Sequence, residues 1–452
     1  MKELHANRYK RLISIQITNV WGEITFQTKV SDINLFVGIN GTGKTTFVKI
    51  IESVLTFDAY TLKEVDFKKC SLTFSDSSSV VCTKNVRKDS DIVHYLIKKD
   101  GVKIFDSHLD LSDYVPRIRK RGFQTISVST RRGLFDLEDT DDVRISLSGL
   151  ANVSWLSLER GNPHDVINDG EITQFGGSVD RKLQEVSRRL KAYQAELERA
   201  EKQELEHFRE EVFKLMLFDE KLDQLNTLIY SLGEIKSPQA LGEKKQLENI
   251  FKELGAFNKE IEQQMTDHFE RMIGVIKKIT SRYKKSKEIT IDGEDVVVLT
   301  LYSRTQKMID LSKELEKRKA NIYLQKNLFE ELLSDFCKSK SFSLFDSFHF
   351  VPLELSSSSK DKAIPIERCS SGEKQLLILF SEVLLQNRAN SIFIADEPEL
   401  SLHIDWQRKI IDALTKLNPN MQVVLATHAP EIVAKWRNQI IDMSEITFFN
   451  EV

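Results

Sequence analysis

The chain has 452 residues, with 65 Lys and Arg against 68 Asp and Glu and a formal net charge of −3, so it can hold two or three domains but no uniformly basic nucleic-acid coat. Its four cysteines (Cys70, Cys82, Cys337, Cys369) form no CxxC pair, which argues against a zinc site or a disulfide framework and fits a reducing, cytoplasmic compartment. Met1 to Arg11 is polar and basic without an apolar core, so no signal peptide is expected. No stretch reads as a membrane span.

In chain order, residues 12–37 read as three strands: Ile13, Ile15 and Ile17 alternate, Ile24 and Phe26 follow a Trp21-Gly22 turn, and Ile33 to Val37 form an apolar run. Gly38-Ile39-Asn40-Gly41-Thr42-Gly43-Lys44-Thr45-Thr46 comes next and fits G-x-x-x-x-G-K-[ST]. Phe47, Ile50, Ile51, Val54 and Leu55 then repeat at helical spacing. Strand, glycine turn and helix are the context in which this pattern cradles phosphate: backbone N–H groups wrap the anion and the helix N-terminus adds partial positive charge. Asn40, Gly41, Thr42, Gly43, Lys44, Thr45 and Thr46 are therefore expected to bind a nucleoside triphosphate, Lys44 reaching the β/γ-phosphates and Thr45 holding Mg²⁺ through its hydroxyl.

From about 69 to 106 the pattern stays β (Ser71–Phe74, Val80–Thr83, Ile92–Ile97, Val102–Phe105), as in an antiparallel meander, and Gln124 to Thr130 reads as a further strand. A heptad seam runs through Leu183, Val186, Leu190, Tyr193, Leu197 and Ala200, then resumes one residue late at Leu205, Phe208, Val212 and Leu215. A turn is expected at Ser231–Pro238, a helix from Leu247 to about Tyr283, a hairpin over Ile289–Asp292 and Val296–Leu301, and a helix from about 306 to 337. Phe348–Leu355 and Ala363–Ile366 read as strands joined by a Ser356–Ser359 turn. These shifts divide the chain into 1–177, 178–345 and 346–452.

Ile392-Phe393-Ile394-Ala395-Asp396-Glu397 is an apolar run ending in two acids, as a buried parallel strand delivering carboxylates to its ligand edge. Asp396 fits a residue that steadies Mg²⁺, and Glu397 a general base that polarises water, with Glu399 as the fallback base. Val423 to Thr427 is a second such strand, ending at His428, which suits a γ-phosphate sensor. Cys369-Ser370-Ser371-Gly372-Glu373-Lys374-Gln375 opens an apolar helix from Leu376 to Leu385, another helix N-terminus suited to an anion or simply a good N-cap.

The loop, SSGEKQ, IADEPELSLH and ATHAP, in that order, resemble the ABC-type ATPase head of the SMC, RecF and overcoming-lysogenization-defect (OLD) group, over about 1–130 and 346–440. The resemblance implies an α/β fold: an ABC-type P-loop NTPase head of two lobes, a mixed sheet plus antiparallel meander, with a helical, short coiled-coil insertion at 178–345. It implies that two heads sandwich two ATP molecules, Ser370 and Gly372 of one touching the γ-phosphate held by Lys44 of the other. Glu397 is then the catalytic base, His428 the switch residue, and ATP and Mg²⁺ the cofactors. Cys369 and Ser371 depart from the usual leucine and first glycine of the signature, and Gln124 stands at the wrong end of its strand for a Q-loop glutamine.

ELSLH points toward OLD-like and bacterial defence ATPases. Val452 follows His428 closely, so no nuclease domain is expected after the head. The chain is similar to standalone ATPase subunits of two-component anti-phage systems such as PARIS and Septu, whose partner is a separate effector nuclease. The alternative is a RecF- or SMC-like repair ATPase that binds DNA. It draws on the basic runs Arg271–Lys287 and Arg117, Arg119, Lys120, Arg121, although such runs are usually solvated faces. A transporter subunit is disfavoured, and no membrane partner is expected.

Overall fold

The computed structural model describes residues 10–87, 90–111, 137–157, 178–217, 239–286, 292–337, 340–344, 349–352 and 364–449. By its contacts the chain forms two compact units, Met1–Tyr193 with Gln325–Val452, and Gln194–Leu324. The expected strand Gln124–Thr130, the basic run Arg117–Arg121 and the turns at Ser231–Pro238 and Ser356–Ser359 lie outside the described residues.

The first unit opens with β1 (Leu12–Val20), β2 (Ile24–Lys29) and β3 (Ile33–Val37), then α1 (Lys44–Thr56) and α2 (Ala59–Glu64). The meander follows as β4 (Lys69–Phe74), β5 (Ser79–Arg87), β6 (Ser90–Lys99) and β7 (Val102–Asp110), and then α3 (Leu137–Ser148) and β8 (Asn152–Ser157). The long helix α4 (Ser178–Lys214) leads into the second unit, where α5 (Gln239–Glu253) and α6 (Lys259–Ser286) lie, and α7 (Gly293–Phe336) leads back. The first unit resumes with β9 (Lys340–Ser343), β10 (His349–Pro352), β11 (Ile364–Pro365), α8 (Ser371–Leu384) and β12 (Ser391–Asp396). It ends with α9 (Ile404–Gln407), α10 (Ile410–Leu417), β13 (Met421–Ala426), α11 (Pro430–Val433), β14 (Ile440–Asp442), α12 (Met443–Ile446) and β15 (Thr447–Phe449).

Two sheets face α1. One is parallel, in the order β14-β3-β13-β12-β8, and the other antiparallel, β15-β2-β1-β4-β5-β6-β7. The strand of the phosphate loop and the strand of the acids are thus separated by the strand that ends before His428. This is the expected α/β arrangement, a parallel sheet and an antiparallel meander with a helical insertion. The strand beside β12 is β8, a segment that the sequence pattern did not single out because Asn152, Ser154 and Ser157 dilute its apolar residues.

Because both sheets need covering, α1 is apolar on nearly every side: Phe47, Val48, Ile50, Ile51, Val54 and Leu55 are buried in one cluster with residues of both sheets. The ring of Phe47 lies 5.4 Å from Phe26 of β2 and 4.7 Å from Phe36 of β3. A buried amide ties the strands from the other end. Gln422 accepts from the Leu12 N–H (2.9 Å) and donates to the carbonyls of Leu12 (2.7 Å) and Ser31 (2.6 Å). In α8 the buried Glu382 carboxylate is met by Arg189 (2.8 Å) and Lys182 (3.0 Å) of α4, so the root of α4 is fastened within this unit.

The second unit has its own core: Phe208, Val212, Leu247, Ile250, Met265, Phe269, Met272, Tyr302, Ile309 and Leu315, drawn from α4, α5, α6 and α7. Two expectations are corrected here. The hairpin over 289–301 is absent where the chain is described, because Val296–Leu301 belongs to α7. Burial there falls on Asp295, Tyr302, Thr305 and Ile309, a helical spacing, and Lys278 of α6 pins the start of α7 through Asp295 (2.9 Å) and Asp292 (2.8 Å). The helix expected from Leu247 to Tyr283 is two helices, divided at Gly255 (φ 70°), with Asn258 capping the second through the Ile261 N–H (2.8 Å). Among the described residues no helix is long and apolar enough to cross a membrane.

One buried acid in α1 makes stability depend on pH. Burial raises the Glu52 carboxyl to about 7, Thr56 opposing and Asp58 adding to the shift. A carboxyl that holds its proton more tightly in the fold stabilises fully below the ordinary glutamate range, and that contribution is lost as pH rises to about 7. Glu52→Gln keeps the carbonyl oxygen that accepts from Thr56 and cannot ionise. It should stabilise by about 1–3 kcal/mol near pH 8 and give no gain near pH 4, measured by denaturant unfolding at both values.

Candidate functional site

The turn from β3 into α1 explains its glycines. Gly41 and Gly43 have φ of 87° and 85°, where a side chain is strained, and a Cβ on Gly38 would stand 2.8 Å from Thr42 Oγ1. Gly43 also lies under aromatic rings, its Cβ position 3.0 Å from Phe26 and 3.4 Å from Trp21. The loop is a cradle that any added side chain would fill or strain, which fits it to a phosphate chain. Asn40 and Gly41 are exposed at its tip, and Thr42, Thr45 and Thr46 are half-buried.

Lys44 is buried, and its ammonium sits inside the loop, donating to the carbonyls of Gly38 (2.7 Å) and Ile39 (3.0 Å). Burial lowers its pKa, while Glu397, Asp396 and Glu399 oppose that shift. Carbonyls are weaker partners than phosphate oxygens for a cation, so this lysine is poised for an anion entering the loop.

Asp396 ends β12 in register with Ala426 of β13 and is buried. The chain then turns sharply. Glu397 adopts φ 48°, unusual for a residue with a side chain, and its N–H donates to the Ala426 carbonyl (2.8 Å). This turn leaves the Glu397 carboxylate about one-third exposed, 3.6 Å from His428 Nε2. Thr427, just before the histidine, is fixed by its N–H on the Phe36 carbonyl of β3 (3.1 Å). The structure therefore gathers Lys44, Asp396, Glu397 and His428 at one edge of three adjacent parallel strands, at the carboxyl ends where α/β sheets bind ligands.

Ser370 and Gly372 stand elsewhere. Ser370 caps α8: its hydroxyl accepts from the Glu373 N–H (3.3 Å), and Glu373 accepts from the Ser370 N–H (3.0 Å), a reciprocal capping box. Lys340 holds Glu373 at 2.7 Å, and Asp180 of α4 holds Lys374 at 2.7 Å. Gly372 is buried, its Cβ position 2.6 Å from the Ser401 carbonyl, so it is the seat of α8 on the turn after Glu397. Ser370 and Ser371 are the exposed residues of the segment. Among the described residues no hydrogen bond or ion pair joins Ser370 or Gly372 to the phosphate loop.

Three comparisons bear on this site. A sequence model of the AAA ATPase domain, AAA_15, matches residues 11–433. The chain belongs to this family of AAA ATPase domains. This AAA ATPase is 31% identical over 93 residues to "Retron Ec83 probable ATPase" of Escherichia coli and 32% identical over 100 residues to "Retron Vc95 probable ATPase" of Vibrio cholerae. Those matches take in 18% and 20% of this chain and span only 17% and 18% of the two relatives. Among solved structures it is similar to the Smc head domain of Pyrococcus furiosus bound to the C-terminal domain of ScpA, at 14% identity and a TM-score of 0.42, covering 98% of this chain and 96% of that one. The Smc head domain with a coiled coil and joint from Pyrococcus yayanosii matches at 15% identity and a TM-score of 0.40, covering 96% and 95%.

The sequence reading missed Trp21 at the site of this ATPase, and it took Glu399 for a fallback base without its bonds. Trp21, in the β1–β2 turn at φ 53°, leaves about half of its ring exposed beside Gly43. Glu399 is buried and bonded to the loop that carries His428. The Trp-Gly turn pattern marked the first only as a turn, and no local pattern shows the bonds of the second.

The seat of α8 gives a direct test. Gly372→Ala drives a methyl into the Ser401 backbone, and should cost about 1–3 kcal/mol of stability and lower ATPase activity, whereas exposed Ser371→Ala should do neither. Thermal unfolding of both variants checks this, and a Gly372→Ala protein as stable as wild type would show that the turn yields freely.

Proposed function

We propose that this AAA ATPase is an ABC-type ATPase head acting as the ATP-dependent sensor or scaffold subunit of an anti-phage defence system, controlling a separate effector nuclease or toxin. The observation that carries the ATPase chemistry is the approach of His428 Nε2 to Glu397 at 3.6 Å, at the ends of the paired strands β13 and β12, β13 lying next to the strand that leads into the phosphate loop.

The backbone of Asn40 to Thr46 and the Lys44 ammonium would hold the phosphates of ATP, and the Thr45 hydroxyl and Asp396 would hold Mg²⁺. The bound ion supplies charge neutralisation on the phosphates. Glu397 takes the proton of the attacking water, and His428 orients that carboxylate and reads the γ-phosphate end of the site. Trp21 offers an aromatic face on which the base would stack. A second copy completes the site through Ser370 and the N-terminus of α8. In support, among the described residues no hydrogen bond or ion pair links that segment to the loop of its own head, and apolar Ile39 of the loop and Leu400 of the turn after the acids stand exposed.

The retron ATPases among its relatives, together with the ELSLH segment, support the defence reading over the repair reading. The basic run Arg271–Lys287 is weaker support for DNA binding than its composition suggests, because Lys278 already pairs with Asp292 and Asp295.

Lys44→Ala should lose ATP binding. Glu397→Gln should bind ATP normally and hydrolyse it at no more than about a hundredth of the wild-type rate, since an amide keeps the shape without the basicity. Nucleotide titration and phosphate release separate the two effects, and near-normal turnover by Glu397→Gln would remove it as the base. Purified alone, the protein should hydrolyse ATP without cutting DNA or RNA in Mg²⁺ or Mn²⁺, cleavage or toxicity appearing only with a second polypeptide. Metal-dependent cleavage by this chain, lost on mutating one of its own carboxylates outside the ATP site, would overturn the two-component reading.

A further inference from the structure

We infer that Glu399 is a positioning residue whose buried carboxylate latches the loop carrying His428 to the turn carrying Glu397. The inference rests on the reading of this edge as the ATP site.

One oxygen does the latching. Glu399 Oε1 accepts from the Thr427 hydroxyl (2.7 Å), the His428 N–H (2.8 Å) and the Ala429 N–H (3.1 Å). All three donors belong to the segment directly after β13, and a carboxylate accepts such bonds more strongly than a neutral group. The other oxygen, Oε2, is buried with no hydrogen-bond partner among the described residues. With one oxygen taken up by the switch loop and the other buried away from water, the base role falls to the more exposed Glu397 and a geometric role to Glu399.

The turn that Glu399 belongs to cannot hold its shape unaided. Glu397 and Ser401 both lie in the left-handed region (φ 48° and 69°), a strained backbone for residues with side chains. Inside the turn, the Leu400 N–H donates to the Glu397 carbonyl (3.2 Å) and the Leu402 N–H to the Glu399 carbonyl (2.9 Å). On one side Glu399 grips the switch loop. On the other, Gln375 of α8 donates to the Pro398 carbonyl (2.9 Å) and Gly372 packs on Ser401. A single strained turn therefore connects His428 with the helix that Ser370 caps, and Glu399 gives it three hydrogen bonds to the switch loop, beside the 3.6 Å approach of Glu397 to His428.

The test exploits the asymmetry of the two oxygens. Glu399→Gln keeps an acceptor at Oε1, whereas Glu399→Ala leaves the Thr427 hydroxyl and the His428 N–H without theirs and the Ala429 N–H with Thr427 Oγ1 alone (3.0 Å). Glu399→Gln should turn over ATP within about threefold of wild type, while Glu399→Ala should lower kcat roughly ten- to hundredfold with KM for ATP changed by less than about threefold. In nucleotide-free protein, amide hydrogen exchange at His428 and Ala429 should be slow in wild type and Glu399→Gln and faster in Glu399→Ala, most of all at His428. Loss of turnover in Glu399→Gln as complete as in Glu397→Gln would make Glu399 a base, and slow exchange in Glu399→Ala would remove the latch. A Glu399→Ala protein that loses ATP binding in step with turnover would also overturn the proposal, since the residue would then serve only the fold. Because the exchange measurement needs no hydrolysis, a wild-type protein without ATPase activity would count against the ATPase reading and leave the latch to be decided by exchange.

Discussion

Phe47, held between Phe26 and Phe36, is the contact on which the rest of the head depends. It sits one turn into α1 and locks that helix simultaneously to the antiparallel sheet and to the strand feeding the phosphate loop. With both ends of the loop fixed by buried rings, Gly41 and Gly43 can occupy left-handed backbone and Lys44 can fold beneath them. A helix buried against sheets on two faces has no polar side on which to shift register. The position of the phosphate loop is thus set by packing, and its chemistry by backbone groups that packing has oriented.

The opposite wall of the site is held by polar contacts. Beyond Asp396 the chain enters a strained turn, supported by the Glu399 bonds to the switch loop and by the seat of Gly372 on Ser401. That difference suits the two jobs. On the proposed function, the phosphate loop has to be rigid, whereas the acids and His428 would have to respond when a nucleotide and a second head arrive. Ion pairs at Glu373, Lys374 and Glu382 tie α8 to β9 and to the root of α4, so a shift of α8 is felt where the insertion leaves the head.

The parts of the site that the sequence reveals are those where backbone geometry leaves little choice of residue. Glycines at 38, 41 and 43, a lysine after them, and an apolar strand ending in Asp396 and Glu397 follow from the cradle and from the sheet edge. The strands β1 to β7 are legible through alternation. The rest depends on tertiary context. An apolar run such as Val296–Leu301 suits either a strand or a helix, and here the burial stripe through Tyr302 and Ile309, with the Lys278 ion pairs, makes it helical. β8 is half polar, so its place beside β12 appears only when the sheet is assembled. Gly372 resembles a ligand-binding glycine in sequence, and its packing on Ser401 appears only in the fold. The bonds of Glu399 join residues 28 to 30 positions apart and leave no local pattern.

The central claim is that one head carries half of a site and a second copy carries the other half. The most direct measurement is the mass in solution, by sedimentation or light scattering, of Glu397→Gln with ATP, alone and combined with Ser370→Arg. ATP should convert Glu397→Gln from monomers to dimers or larger even-numbered assemblies, and the added arginine should prevent this while ATP binding to the single head persists. A Glu397→Gln protein that binds ATP yet stays monomeric at high concentration, or one that assembles equally well with Ser370→Arg, would contradict the account.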